Sequence, residues 1–245
     1  MLVMKDRKCA LCGNIDELTF EHIPPKCAFN NKLIHVQKHE HLMEENSRLF
    51  GKKMKSHKGF GKQSLCASCN NSTGNWYAKD FCEFVEQGMK ILHAKKDPYV
   101  VSGEYVLKPQ NVLKQILMMF ISVDSSGALR NLNGVVDYLM DKTSTAFPED
   151  IDIYIYSNHS PFKRMVGYCV VGNINSDEIH HWSEINYQPF GYFLTIKSPP
   201  PNEYMVKITD FKKIPFDKSV SMTLNTMYLK VGNIIIGEYE NLKRE

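Results

Sequence analysis

The apolar positions of this chain change spacing twice, and each change predicts a different kind of element. Over 76–93, Trp76, Phe81, Phe84, Val85, Met89 and Leu92 recur at helical steps, which predicts an amphipathic helix that Gly88 weakens. Lys108-Pro109-Gln110-Asn111 then leads into Val112, Leu113, Ile116, Leu117 and Phe120, and proline suits a first helical turn. A further helix is expected over 129–140. After that the runs become short and β-rich, predicting strands at 151–156, 164–171, 191–196, 204–208, 220–224 and 231–236. Asn173-Ile174-Asn175 and Ser198-Pro199-Pro200-Pro201-Asn202 are among the breaks between them. The first 75 residues differ from both parts, being rich in turns and poor in periodic segments.

This organisation predicts an α+β protein. A small N-terminal domain over 1–98 ends near the Asp97-Pro98 step. An α+β domain over 99–245 follows, with two helices and a mainly antiparallel sheet. A hydrophobic content of 43% is enough for real cores and argues against wholesale disorder. The N-terminus reaches Cys9 before an apolar signal segment has room to form, and no run of about 18 apolar residues follows. A soluble, cytoplasmic protein without a membrane partner is the expectation.

Charge becomes informative once it is divided. The net charge is +3, but residues 1–80 hold thirteen Lys/Arg against eight Asp/Glu, so the excess belongs to the N-terminal part. Lys52, Lys53, Lys55 and Lys58, followed by Lys62, concentrate it as a phosphate-contacting surface would, although a solvated loop has the same composition.

Four of the seven cysteines form two CxxC pairs, Cys9/Cys12 and Cys66/Cys69. A CxxC turn aims two thiolates at one point, and a second pair completes a tetrahedron, so the quartet is expected to bind Zn2+. Saturated by four ligands, that zinc is structural, and it would hold together a region whose apolar surface is small. Cys27, Cys82 and Cys169 are expected as incidental thiols in a reducing compartment.

The 53 residues between the pairs contain Leu18-Thr19-Phe20-Glu21-His22-Ile23, a short strand stopped by Pro24-Pro25. A histidine at such an end can take a proton from water near neutral pH, and a carboxylate beside it can hold Mg2+, Mn2+ or a similar hard cation. Adjacent strand residues face opposite ways, so both reach one ligand only at a twist or at the strand end.

Taken in order, Cys9-Ala10-Leu11-Cys12, Glu21-His22-Ile23-Pro24-Pro25 and Leu65-Cys66-Ala67-Ser68-Cys69-Asn70 resemble the HNH endonuclease family. The resemblance spans roughly residues 7–80. It implies a treble-clef, ββα-metal core with His22 as general base and Glu21, where the family normally has aspartate, as ligand of the catalytic ion. Asn70 would complete that metal site, with Asn71 and Asn75 as rivals. The family's middle asparagine, which positions the loop carrying the base, is replaced here by Gly61, for which Asn31 or Gln63 is a possible substitute.

A metal-dependent endonuclease acting on nucleic acid, DNA in the first instance, is therefore the leading expectation. A zinc-stabilised binder without catalysis and a regulatory interaction module are the alternatives. The second domain offers no comparable motif. His180-His181-Trp182 reads as a turn or interface, and Tyr187-Gln188-Pro189-Phe190-Gly191-Tyr192-Phe193 as core rather than a base-stacking platform. A DNA-selecting role, a protein partner or a small-molecule activator would be served by that domain.

Overall fold

The computed structural model describes residues 8–38, 41, 44–94, 99–172 and 179–229. The expected strand at 231–236, the Asp97-Pro98 step and Asn173-Ile174-Asn175 lie outside them. The chain is a mixed α+β structure built on antiparallel pairings.

Strand β1 (Leu18–His22) is followed by β2 (Ile34–Val36) and β3 (Met54–Ser56), which pair with each other in a small hairpin. Strand β4 (Gly61–Cys66) returns to β1, placing Gly61 opposite His22 and Lys62 opposite Glu21. Helix α1 (Ala67–Thr73) starts immediately after β4 and continues through a π-turn (Gly74–Ala78) into α2 (Lys79–Ala94). The amphipathic helix expected at 76–93 is thus the latter part of a longer helical run. Its buried positions include Phe81, Phe84, Val85, Gly88 and Leu92, the three- and four-residue spacing of one face. Gly88 is required rather than merely tolerated, because a Cβ there would lie 2.3 Å from the Phe190 ring. The space it leaves lets Phe190 stack on Phe84, with ring centroids 4.8 Å apart.

Strand β5 (Val100–Leu107) pairs with β11 (Val220–Met227), and between them in sequence lies the rest of the fold. Helix α3 (Pro109–Val123) begins at the anticipated proline and is buried along its whole length, polar residues included. Asn111 donates to Asp80 Oδ2 at 2.6 Å, joining the start of α3 to the start of α2. Lys114 donates to the carbonyls of Tyr138 and Asp141, so its buried ammonium caps the end of α4 (Val135–Met140). The expected helix at 129–140 is confined to that second half, because Asn131-Leu132-Asn133-Gly134 folds as turns.

Strands β6 (Ile151–Ser157), β7 (Arg164–Gly172), β8 (Ile179–Tyr187), β9 (Phe190–Ile196) and β10 (Val206–Lys207) form a five-stranded antiparallel sheet in the order β10-β6-β9-β8-β7. The strand expected at 204–208 shrinks to β10 because a 3-10 turn (Thr209–Lys213) begins just beyond it. His180-His181-Trp182 lies within β8 and not in a turn, and Trp182 is stacked on Phe193 with centroids 5.4 Å apart. The 187–193 aromatics are buried, as a core segment should be. One hydrophobic cluster runs from Leu11 and Ile23 through α2 and α3 to Ile185 and Tyr192, on both sides of residue 98.

The expectation of three incidental thiols needs correction. Cys27 and Cys82 are joined by a disulfide with Cα atoms 5.7 Å apart, whereas Cys169 is free. The turn after Pro24-Pro25 carries Cys27 against the first part of α2, an approach hidden by 55 residues of sequence separation. A reducing compartment loses the support it drew from those thiols. Among the described residues no helix is long and apolar enough to cross a membrane.

Inside the sheet, Arg164 pairs with Glu184, and Tyr156 donates to Glu184 Oε1 at 2.5 Å. Burial pushes the Glu184 carboxyl up, and the Arg164 guanidinium pulls it back toward ionisation. Removing one partner of such a pair leaves an uncompensated buried charge. Arg164→Ala is expected to cost about 3–5 kcal/mol at neutral pH, read by urea unfolding. Because Glu184 can then escape its charge by taking a proton, the deficit relative to the parent should shrink as pH falls toward about 4 to 5, the range near which free carboxyls titrate.

Candidate metal centre and hydrolytic site

The Cys9-Ala10-Leu11-Cys12 turn is closed by local backbone bonds, Cys9 N to Asn14 O at 2.8 Å and Gly13 N to Cys9 O at 2.9 Å. The second pair is placed by the junction of β4 with α1, where Cys66 ends the strand and Cys69 lies in the first turn of the helix. Ala10 N reaches Ser64 O at 2.8 Å and locks the two turns together. All four sulfurs then lie within 4.8 Å of one another, with Cys12 Sγ 4.0 Å from Cys66 Sγ. A tetrahedral zinc with bonds of about 2.3 Å separates its sulfurs by about 3.8 Å, so the cluster matches the donor set and nearly the spacing. These residues can hold a metal ion such as zinc. Among the described residues they are the one group of three or more His, Cys, Asp or Glu with ligand atoms this close.

Cys9 and Cys69 show the conflict of thiols held together. Burial works against ionisation at Cys9, yet backbone bonds involving Cys66, Cys12 and Leu11 bring its thiol down to about 7. Burial and the neighbouring sulfurs push Cys69 far up. A bound dication would remove the conflict by stabilising every thiolate at once.

Glu21 and His22 occupy the end of β1. Glu21 shares a face with Thr19, while His22 shares the opposite face with Phe20, whose ring meets the imidazole edge-on at a centroid distance of 5.0 Å. Burial alone pushes the Glu21 carboxyl up to about 7. No hydrogen bond or ion pair answers its charge among the described residues. The His22 imidazole is held down by burial, raised by its hydrogen bond to the Lys58 backbone, and lowered again by the charges of Lys26 and Lys58. It therefore stays neutral, with a free lone pair, to a lower pH than an ordinary histidine.

Asn70 lies on the Thr19 side of the hairpin, donating Nδ2 to Thr19 Oγ1 at 2.8 Å, while Thr19 donates to Leu65 O at 2.9 Å. Asn70 Oδ1 accepts no hydrogen bond among the described residues. Asn71 and Asn75 are exposed on the helical run.

Gly61 has a structural reason to be glycine. A Cβ there would lie 2.0 Å from the Glu21 carbonyl oxygen, so no asparagine fits this register. Asn31 and Gln63 are both exposed. The asparagine built into the turn after His22 is Asn30, fully buried, which donates to Pro24 O and to Phe60 O and accepts from Phe60 N, each at 2.7 Å. It clamps the turn after His22 to the segment entering β4. Sequence spacing did not single it out, because nothing local distinguishes Asn30 from Asn31.

The basic residues divide. Lys52, Lys53, Lys55 and Lys58 are exposed and carry no ion pair among the described residues. Lys62 instead crosses to the end of α3, donating to Ser125 Oγ at 2.7 Å and Val123 O at 3.2 Å. Lys26, which the charge run does not include, acts electrostatically on His22.

No family model matches this chain, and neither a curated protein nor a solved structure matches it.

Two outcomes test the architecture of the site. Metal analysis of the purified protein should find about one equivalent of zinc per chain, and Cys66→Ser should lower that content and the unfolding midpoint together. Asn30→Ala leaves Phe60 N and Pro24 O without their partner, while Phe60 O keeps Ile23 N, and should cost about 2–4 kcal/mol in urea unfolding.

Proposed function

We propose that this chain is a metal-dependent endonuclease of the HNH type, hydrolysing phosphodiester bonds in nucleic acid, with DNA the expected substrate. The observation that carries this reading is Glu21, a largely desolvated carboxylate with no counter-charge among the described residues, immediately beside a histidine whose ring is tied to the Lys58 backbone. An unanswered carboxylate of that kind costs stability unless a cation or a proton joins it. The quartet of cysteines, read as a structural zinc site, steadies the hairpin that presents both residues.

His22 stands at the strand end, where a group on the Glu21 face and one on its own face can meet a single phosphodiester. It accepts the proton of a water molecule as that water attacks phosphorus. Its neutral form, favoured by burial and by Lys26 and Lys58, is the form able to do so. Glu21, with Asn70 Oδ1, would hold a divalent ion such as Mg2+ or Mn2+, which supplies electrostatic stabilisation of the departing 3'-oxygen. Asn30 fixes the turn after His22 and so keeps the imidazole from swinging away. Lys26, Lys52, Lys53, Lys55 and Lys58 would attract the phosphates on either side.

Nicking of circular duplex DNA by the purified protein is expected with Mg2+ or Mn2+ and absent without a divalent ion. His22→Ala should lower the rate by about 100-fold or more while leaving zinc content and unfolding unchanged. Equal rates for the two proteins would refute the role of His22. No cleavage of duplex, single-stranded DNA or RNA by intact protein would leave a nucleic-acid-binding module as the better reading.

A further inference from the structure

The turn that follows His22 meets the five-stranded sheet at Tyr187. Tyr187, near the end of β8, donates its hydroxyl to Phe29 O at 3.0 Å and lies 3.4 Å from Asn30 Oδ1, the clamp of the His22 turn. The ammonium of Lys163 sits over the Tyr187 ring, 5.0 Å from its centroid, and donates to Pro161 O at 3.2 Å. Lys32 is close enough to repel it, the like charge lowering Lys163 further below its ordinary range after burial has begun to do so. Among the described residues no carboxylate pairs with either lysine. Two exposed lysines whose charges act on one another, with no acid among the described residues paired to either, make a positive spot that an anion would neutralise.

Apolar surface of a particular kind flanks the pair. Phe29 and Phe162 are each 39% exposed, and the Phe29 ring stacks on no other ring among the described residues. Phe29 also has a φ of 62°, a left-handed conformation unusual for a bulky residue. The turn therefore accepts backbone strain and presents an aromatic ring outward. The flat Phe29 ring beside two cations without a counter-acid among the described residues suits a strand whose bases are not already stacked in a duplex, since each base then offers a free face.

We infer that Phe29, Lys32, Phe162 and Lys163 form a binding surface for an unpaired nucleic-acid strand, with phosphates on the two lysines and a base on Phe29. Its place beside the His22 turn rests on the nuclease reading, whereas the binding itself does not. The surface also gives the five-stranded sheet a role: through Lys163 and Tyr187 it supplies half of a subsite for the strand that runs out from the scissile phosphate.

The test uses the full chain carrying His22→Ala, so that the probe is not cut. A fluorescein-labelled DNA single strand of about 12 nucleotides, and the duplex of the same sequence, are titrated by anisotropy across a range of NaCl. The single strand should bind more tightly than the duplex. Lys32→Gln with Lys163→Gln should weaken its binding by more than about ten-fold and reduce the salt slope by about 1.4, the value for two phosphate contacts on a single strand. Phe29→Ala should weaken it roughly ten-fold with the slope unchanged. The control pair Lys79→Gln with Lys90→Gln, on the exposed face of α2, should alter neither, and all variants should share the parent's unfolding midpoint. Unchanged affinity and slope in the lysine variant, an equal loss in the control, preference for duplex, or no binding to either probe would each overturn the surface. Nicking by the protein with His22 intact is measured separately. A surface that fails while nicking persists leaves the nuclease standing, whereas binding that depends on the surface without any nicking upholds the surface and removes the nuclease.

Discussion

Four sulfurs gathered within 4.8 Å are the constraint on which the N-terminal half depends. Thiols have little affinity for one another, and as thiolates they repel, so a cation such as zinc would reconcile the four sulfurs at this spacing. What the cluster joins explains why this matters. One pair sits on a turn bridged between Lys8 and Ile15, and the other on the boundary between β4 and α1. Fixing that boundary fixes the register of β4 against β1, which sets Gly61 opposite His22 and lets the backbone pass close to Glu21. Arg130, reaching from the turn before α4 to Cys9 O at 3.0 Å, adds a tie from the other half of the chain.

The large excursion between β1 and β4 is held by different means. Asn30 supplies three hydrogen bonds at its base, and the disulfide from Cys27 to Cys82 pins the same turn to α2. A loop of this length that is anchored near its start can leave its far hairpin, β2 and β3, projecting with exposed lysines. Two duties are thereby separated: the His22 end is over-determined, and the basic end is solvated.

How much of this was legible depends on how local the cause is. The cysteine quartet could be read directly because each CxxC turn is made by neighbours. Helix α3 was equally plain, since proline opens it and apolar residues dominate its length. Strand β8 was not, because its interior face carries Glu184 and Asn186, whose polarity makes sense only with Arg164, Tyr156 and Asn158 across the sheet. Polar residues satisfied inside a core erase the alternation that identifies a strand. Asn30 and the disulfide were hidden for the same reason, as their partners lie 30 and 55 residues away. At Gly61 the family pattern and the structure ask different questions. The missing asparagine side chain is a loss only if that position must supply it, and here the position is filled by the Glu21 backbone while another asparagine braces the turn.

The charges that act on His22 come from its own half of the chain, Lys26 and Lys58. A histidine meant to accept a proton is better neutral, and the positive charges of Lys26 and Lys58 favour that state. The same charges favour a phosphodiester nearby, so under the proposed nuclease reading a single arrangement would serve both the base and its substrate. Glu21 opposes this field only weakly while burial keeps its carboxyl up near 7. A divalent cation that ionised Glu21 would bring two positive charges against the one new negative charge, so the field at His22 would become more positive and favour its neutral form further. Lys32 and Lys163 extend the positive potential away from the strand end along the side where Tyr187 meets Phe29. If those lysines hold the strand as proposed, the sheet shapes the potential in front of the site without contributing a group to the chemistry, which is how its sequence could look uninformative and its position still matter.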